Sequence, residues 1–338
     1  MPVPQALVRF LGAPSIPRPA DLLTADQPYK PFPPVRRWRY NALIRFLVFA
    51  GLVAAIGLVF SLVIGLVIGM VLGSAAQGSE FGRAVASWGN VIAIPVFLAA
   101  YLLLGRWWEQ RSPVHELSLR RVGGVGTGLL IGTVLVSGSI GLIALFGGYR
   151  IVGVDPSYNP WFMILVAGFS AAINEEIMFR GILFRLTEDT FGTWAATAIS
   201  GLVFGLVHLT NPHATLAGGG GIALEAGILF AALYAFTRSL WVCMGVHFAW
   251  NVVQGPIFGI VISGTSAQGS GWIRSTMPGP DWLTGGQFGM EASWVTIVAV
   301  TAVAIWLIVQ VAKAGLVVEP FWVRRRLLRS AENPVSVH

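Results

Sequence analysis

Two adjacent glutamates, Glu175 and Glu176, stand inside an otherwise apolar stretch that reads Asn174-Glu175-Glu176-Ile177-Met178-Phe179-Arg180. Ionisable groups at membrane depth are costly, so each calls for a partner or a purpose. On a helix Glu176 and Arg180 are four apart and face one side, where they can pair. Glu175 points about 100° away, which leaves it able to face a cavity. Adjacent carboxylates resist joint ionisation, and removal from water disfavours the charged form. A carboxyl tuned in that way suits a general base working near neutral pH. The bland alternative for Glu176 and Arg180 is a buried ion pair that only holds helices together. Glu175 has no local partner, so that alternative fits it less well.

Two further groups carry chemistry. Phe204-Gly205-Leu206-Val207-His208 ends the next apolar stretch, and a lone histidine there is by itself more often a core residue than a catalyst. In His247-Phe248-Ala249-Trp250-Asn251 the histidine and asparagine share one helix face at spacing four. Both can donate hydrogen bonds into one pocket, or simply cross-link helices. Counting about 1.5 Å per residue from the Arg-rich helix ends puts Glu175 and Asn251 at roughly 20 Å, His208 at roughly 24 Å and His247 at about 13 Å. Three helices can therefore bring the groups to a shared depth.

The elements that must position them are membrane helices. The chain has 338 residues, 55% hydrophobic and 11% charged, against about 25% charged in a soluble domain. The expected fold is all-α, a polytopic membrane bundle of about eight transmembrane helices, each needing roughly 20 apolar residues. The spans read near 44–73, 88–105, 124–147, 161–187, 191–209, 221–238, 240–262 and 291–312. Five regions follow: a polar tail over 1–40, N-terminal membrane helices over 41–160, a catalytic core over 161–262, an outer loop with the last span over 263–312, and a tail over 313–338. The first region is Pro-rich and lacks the apolar core of a cleavable signal peptide.

The net charge of +7 comes from arginines beside the spans, which reads as topology and excludes a nucleic-acid partner. With the N-terminus inside, Arg45, Arg106, Arg111, Arg120, Arg121, Arg185, Arg238 and Lys313 lie on the cytoplasmic side, and Arg83, Arg150 and Arg274 outside. Both termini are expected in the cytoplasm. Gly65, Gly69 and Gly73 form a small-residue face for helix packing within this chain or between two copies, and the oligomeric state stays open. The Gly218–Gly221 run reads as a flexible loop or re-entrant turn. The single cysteine, Cys243, has nothing evident to activate it as a nucleophile.

The three motifs together, Glu175-Glu176-x-x-x-Arg180, Phe204-x-x-x-His208 and His247-x-x-x-Asn251, resemble those of the CPBP family, over about residues 161–255. That family includes the CAAX prenyl endopeptidases of the Ras-converting type, Abi-like proteins and bacterial proteins similar to them. The resemblance implies an intramembrane endopeptidase that cleaves a membrane-associated protein or peptide, prenylated or not. Glu175 and His208 would activate a water, and His247 and Asn251 would steady the oxyanion. Glu176, Arg180 and Phe204 would support the site. Members are often labelled metalloproteases; if zinc is used, Glu175, His208 and His247 are the ligand set, with an open fourth position. No cofactor is favoured, since zinc would consume the evident base. The expected location is a bacterial plasma membrane, with lipid as a partner. The alternative is a noncatalytic membrane scaffold or bacteriocin-immunity-type protein of the same fold. A proton-coupled transporter would also use an intramembrane Glu and His, but the broken-helix repeat of such proteins is not evident in the sequence.

Overall fold

A computed structural model describes residues 3–11, 38–39, 41–72, 89–265, 271–324 and 326. Most of the two tails, and the side chains at Gly65 and Gly69 together with Gly73, fall outside that description. After a short helix α1 (Gln5–Leu11), the apolar runs become α2 (Ala42–Leu72), α3 (Gly89–Leu103) and α4 (Gly124–Leu145). The run Trp161–His208 is helical over 48 residues. As one rod it would be about 72 Å long, more than twice the roughly 30 Å hydrocarbon core. It folds back on itself instead. Gly192, at φ 85° and ψ 172°, breaks the helix, and the rings of Phe179 and Phe204 meet at 4.8 Å between centroids. In a straight helix those residues would lie roughly 37 Å apart. The two arms, α5 over 161–191 and α6 over 193–208, are therefore antiparallel. A side chain at Gly192 would meet the Val318 carbonyl at 2.6 Å, where the chain after the last helix crosses the bend.

Then come α7 (Leu216–Thr237), α8 (Leu240–Val252) and α9 (Trp294–Lys313). Six helical segments are long and apolar enough to cross a membrane among the described residues, fewer than the eight expected. The difference lies partly in the two-armed 161–208 run, which is one of the six, and partly in α8, which has 13 residues before a π-helical turn, Val253–Ile257. The fold is a polytopic helical membrane bundle. One small sheet was not expected: β1 (Arg150–Val154) pairs antiparallel with β2 (Ile273–Thr276), within the stretch read as an outer loop. Ile151, Val152 and Val154 are exposed, so neither face of β1 shows the alternation that marks a half-buried strand.

Glycine sets how closely the helices approach. A Cβ at Gly128 would run into the Val242 carbonyl, and one at Gly132 would stand 2.5 Å from that of Val246. This backbone-to-backbone contact seats α8 against α4, in the manner of small-residue packing in membranes. The Gly218–Gly221 run is helical, which corrects the loop reading. Thr215 caps the helix by accepting from the Gly218 amide at 2.9 Å. The glycines are there for proximity: Gly218 lies against the Phe288 ring, Gly219 against Leu209, and Gly221 against the Glu291 carbonyl.

Several arginines read as topology markers are buried in one ion network. Arg45 contacts Glu109 at 2.7 Å and Asp189 at 2.5 Å, and Glu109 also meets Arg111 at 2.8 Å and Arg185 at 2.9 Å. Arg111 continues to Glu116 at 2.9 Å. Burial by itself would raise the Glu109 carboxyl, but Arg185, Arg111 and Arg45 together hold it well below the usual carboxylate range. The network ties α2, the end of α3 and α5 at the Arg-rich end of the bundle.

Candidate active site

Glu176 closes the α-helical turn Ala171–Glu176 of α5, and the next eight residues, Ile177–Phe184, are π-helical. Glu176 is fully buried, and one of its oxygens, Oε1, accepts twice: from Arg180 Nη1 at 3.2 Å and from His247 Nδ1 at 2.9 Å. Arg180 is held in turn from several sides. Its guanidinium lies 4.6 Å from the Phe204 ring and 4.6 Å from the Phe230 ring, and Nη2 donates to the Ala226 carbonyl at 3.3 Å. A planar, delocalised cation suits such stacking better than a lysine would. Three helices, α5, α6 and α7, therefore converge on one side chain.

His247 comes from α8. A carboxylate only accepts, so the hydrogen between His247 and Glu176 belongs to Nδ1, and the ring is turned so that Nε2 faces Glu175, 3.9 Å from its Oε2. That is too far for a direct hydrogen bond. Glu175 differs from its neighbour in setting as well as direction: its side chain is 33% exposed, and Oε2 has no hydrogen-bond partner among the described residues. The ring of Phe230 lies 5.5 Å from that of His247, and Phe204 6.2 Å.

His208 enters through Phe204, whose ring is 4.8 Å from its own. Its Nδ1 contacts the Phe204 carbonyl at 2.7 Å. A carbonyl only accepts, so Nδ1 carries the hydrogen and Nε2 is the ring nitrogen left for other contacts. Asn251, buried one turn beyond His247, donates Nδ2 to the Ala167 carbonyl at 2.7 Å. The structure thus brings Glu175, Glu176, Arg180 and His247 together directly, links His208 to them by way of Phe204, and ties Asn251 to the α5 backbone. Phe230 and the Ala167 and Ala226 carbonyls had no signal in the sequence. An aromatic in an apolar span and a backbone carbonyl look the same wherever they point.

Zinc needs converging ligands. Among the described residues no three His, Cys, Asp or Glu side chains form a group able to hold a metal ion. His247 Nδ1 is engaged by Glu176 and His208 Nδ1 by a carbonyl, which leaves Nε2 of each ring as the nitrogen available to a water or a metal ion. Cys243 is buried and its sulfur lies 3.9 Å from the Phe230 carbonyl oxygen.

Comparison with known proteins finds likenesses over the same stretch. Residues 157–253 match the family model described as Type II CAAX prenyl endopeptidase Rce1-like. A protein of Bacillus subtilis (strain 168) named "Putative membrane peptidase YdiL" is 35% identical over 89 residues, 26% of this chain and 34% of that protein. The chain thus spans about a third of the length of that curated relative. The stretch that builds the site is similar in sequence to the Rce1-like CAAX prenyl endopeptidases, as the three motifs implied.

Proposed function

We propose that the chain is an intramembrane endopeptidase that hydrolyses a peptide bond in a membrane-associated protein, with water activated by Glu175 and His208. The observation that carries this reading is the division of labour between the glutamates. Glu176 is buried and committed to Arg180 and His247, while Glu175 Oε2 faces His247 Nε2 without a partner among the described residues. At 3.9 Å the two atoms are not hydrogen-bonded to each other and lie close enough to engage the same water.

Such a water gives its proton to Glu175, with the His208 Nε2 lone pair as the second acceptor, as its oxygen attacks the scissile carbonyl carbon. The carbonyl π bond breaks and its electrons move onto oxygen. His247, protonated on both ring nitrogens, and the remaining N–H of Asn251 donate to that oxyanion. Collapse reforms the carbonyl and breaks the C–N bond, and the proton held by the acid passes to the departing amine. Arg180, Phe204 and Phe230 act as positioning residues. Glu176 fixes the orientation of the His247 ring, the role that a carboxylate partner plays for an imidazole.

The substrate is a protein tail carried at the membrane, in a bacterial plasma membrane, with the Arg-rich ends of the helices and both termini in the cytoplasm. Arg185, Arg111 and Arg121 at that end support the orientation. Prenylation of the substrate and the absence of a metal step belong to the same reading.

The test is a proteomic comparison of membrane peptides from cells expressing wild type, Glu175→Ala or His208→Ala, with metal content measured on the purified proteins. Peptides that appear only with wild type are expected. Identical peptide sets in all three would sink the assignment in favour of a noncatalytic scaffold, and stoichiometric zinc would overturn the metal-free mechanism.

A further inference from the structure

A second polar cluster lies beyond the reacting groups, at the far end of α8. Gln254 follows Asn251 by three residues, and its Nε2 donates to Glu291 Oε2 at 2.7 Å and to the Val261 carbonyl at 2.6 Å. The other Glu291 oxygen accepts from the Ser263 amide at 3.1 Å and the Ser263 hydroxyl at 3.0 Å. Glu225, on α7, interacts electrostatically with Glu291. One turn earlier, a Cβ on Gly221 would stand 2.5 Å from the Glu291 carbonyl oxygen, so this face of α7 lies directly on the Met290–Ala292 turn. Glu225 and Gln254 are fully buried and Glu291 is 2% exposed.

The unmet demand in this cluster has one sign. Both oxygens of Glu225 and Oε1 of Gln254 are buried without a hydrogen-bond partner among the described residues, and all three can only accept while Glu225 is ionised. Among the described residues no cationic side chain pairs with Glu225 or Glu291. A buried carboxylate without compensation is strongly destabilising. Consistent with that shortfall, burial pushes the Glu291 carboxyl up to about 7 despite its hydrogen bonds from Gln254 and Ser263.

We propose that Glu225, Glu291 and the side-chain oxygen of Gln254 bind a small hard cation, of the sodium or calcium type, that clamps α7 to the C-terminal end of α8. An all-oxygen donor set with two carboxylates suits such ions, whereas zinc or copper would call for imidazole or thiolate. Full burial excludes a basic side chain from a substrate. The clamp joins the helix that carries His247 and Asn251 to the one whose Ala226 carbonyl holds Arg180, yet it is distinct from the hydrolytic chemistry and is read without an activity assay.

The full chain, purified in detergent at pH 8 in choline chloride, is titrated with sodium, calcium or magnesium chloride at constant ionic strength while tryptophan fluorescence reports unfolding. A cation that binds only the folded state raises Tm; a rise of about 5 °C is expected for sodium or calcium. In Glu225→Gln, which keeps the volume and removes one charge, the rise should vanish while Tm in choline equals or exceeds that of wild type. Radioactive sodium or calcium binding, near one ion per wild-type chain and absent in Glu291→Gln, covers the case in which the first variant fails to fold. No cation-dependent rise in wild type, an equal rise in Glu225→Gln, or a Tm that follows pH alone would overturn the proposal, the last identifying a proton as the occupant.

Discussion

At the scale of single residues, the site depends on groups that are individually ordinary and jointly constrained. Asn251 spends one N–H on the Ala167 carbonyl and has one left for the oxyanion. Asn251→Ala is expected to lower kcat by about 10²–10³, the usual loss for one such donor, and to cost about 1–3 kcal/mol of stability from the carbonyl left unpaired. Single-turnover cleavage beside thermal unfolding separates the two effects. Arg180→Lys keeps the charge but loses the stacking between Phe204 and Phe230. It should reduce kcat by about tenfold or more through a displaced Glu176 and His247. Unchanged kcat with a lowered Tm would make Arg180 a strut and nothing more. At this scale the sequence was informative. The i, i+4 geometry of Glu176 and Arg180 follows from helix pitch alone, and both groups sit where their spacing put them. The acceptor of the His247 hydrogen was not legible, because Glu176 is 71 residues away in the chain.

At the scale of elements, glycine decides which helices touch. Gly128 faces the α8 backbone at a distance that leaves no room for a side chain, whereas a Cβ at Gly138 on the same helix meets nothing within 4 Å. Gly128→Val should destabilise the protein by about 3 kcal/mol or more through forced separation of α4 and α8, with His247 displaced. Gly138→Ala should be neutral or mildly stabilising, since alanine is the better helix former. Equal Tm values for the two variants would remove the close-approach argument. The misreading of Gly218–Gly221 has the same root. Glycine-rich runs mark turns when water surrounds them, but in a membrane bundle the missing side chain also serves contact, and only the neighbours Phe288, Leu209 and Glu291 show which use applies.

At the scale of the whole molecule, the Arg-rich end is a locked network and not a row of solvated charges. Glu109 stands at its centre, with Arg45, Arg111 and Arg185 around it. Its carboxyl is held below the usual range in the fold. The stability it contributes is therefore full above the unfolded pKa of about 4.3 and is lost as pH falls below that value towards the folded one. Wild type should lose Tm steeply below about pH 4.5, while Glu109→Gln starts lower at pH 7 and changes less on acidification. A parallel pH dependence in both proteins would show that the network contributes little. The same arginines were expected to report orientation, and introduced cysteines near Arg121 and Arg274, in a Cys243→Ala background, test that reading by impermeant labelling. Labelling near Arg274 alone in intact cells is expected.

What the sequence determined by itself was the solvent, the helical class and the identity of the polar groups that a membrane interior would not tolerate without cause. Those properties are local: apolar run length, helix periodicity and the cost of burying a charge are all functions of neighbours in the chain. Tertiary structure decided the rest. It decided that Glu176 and not Glu175 holds His247, that Phe230 covers Arg180, and that the buried arginines close a network. Each of these depends on which distant segments come within a few ångströms, and in lipid that choice is made by packing and hydrogen bonding rather than by hydrophobicity, so an apolar sequence carries it only faintly.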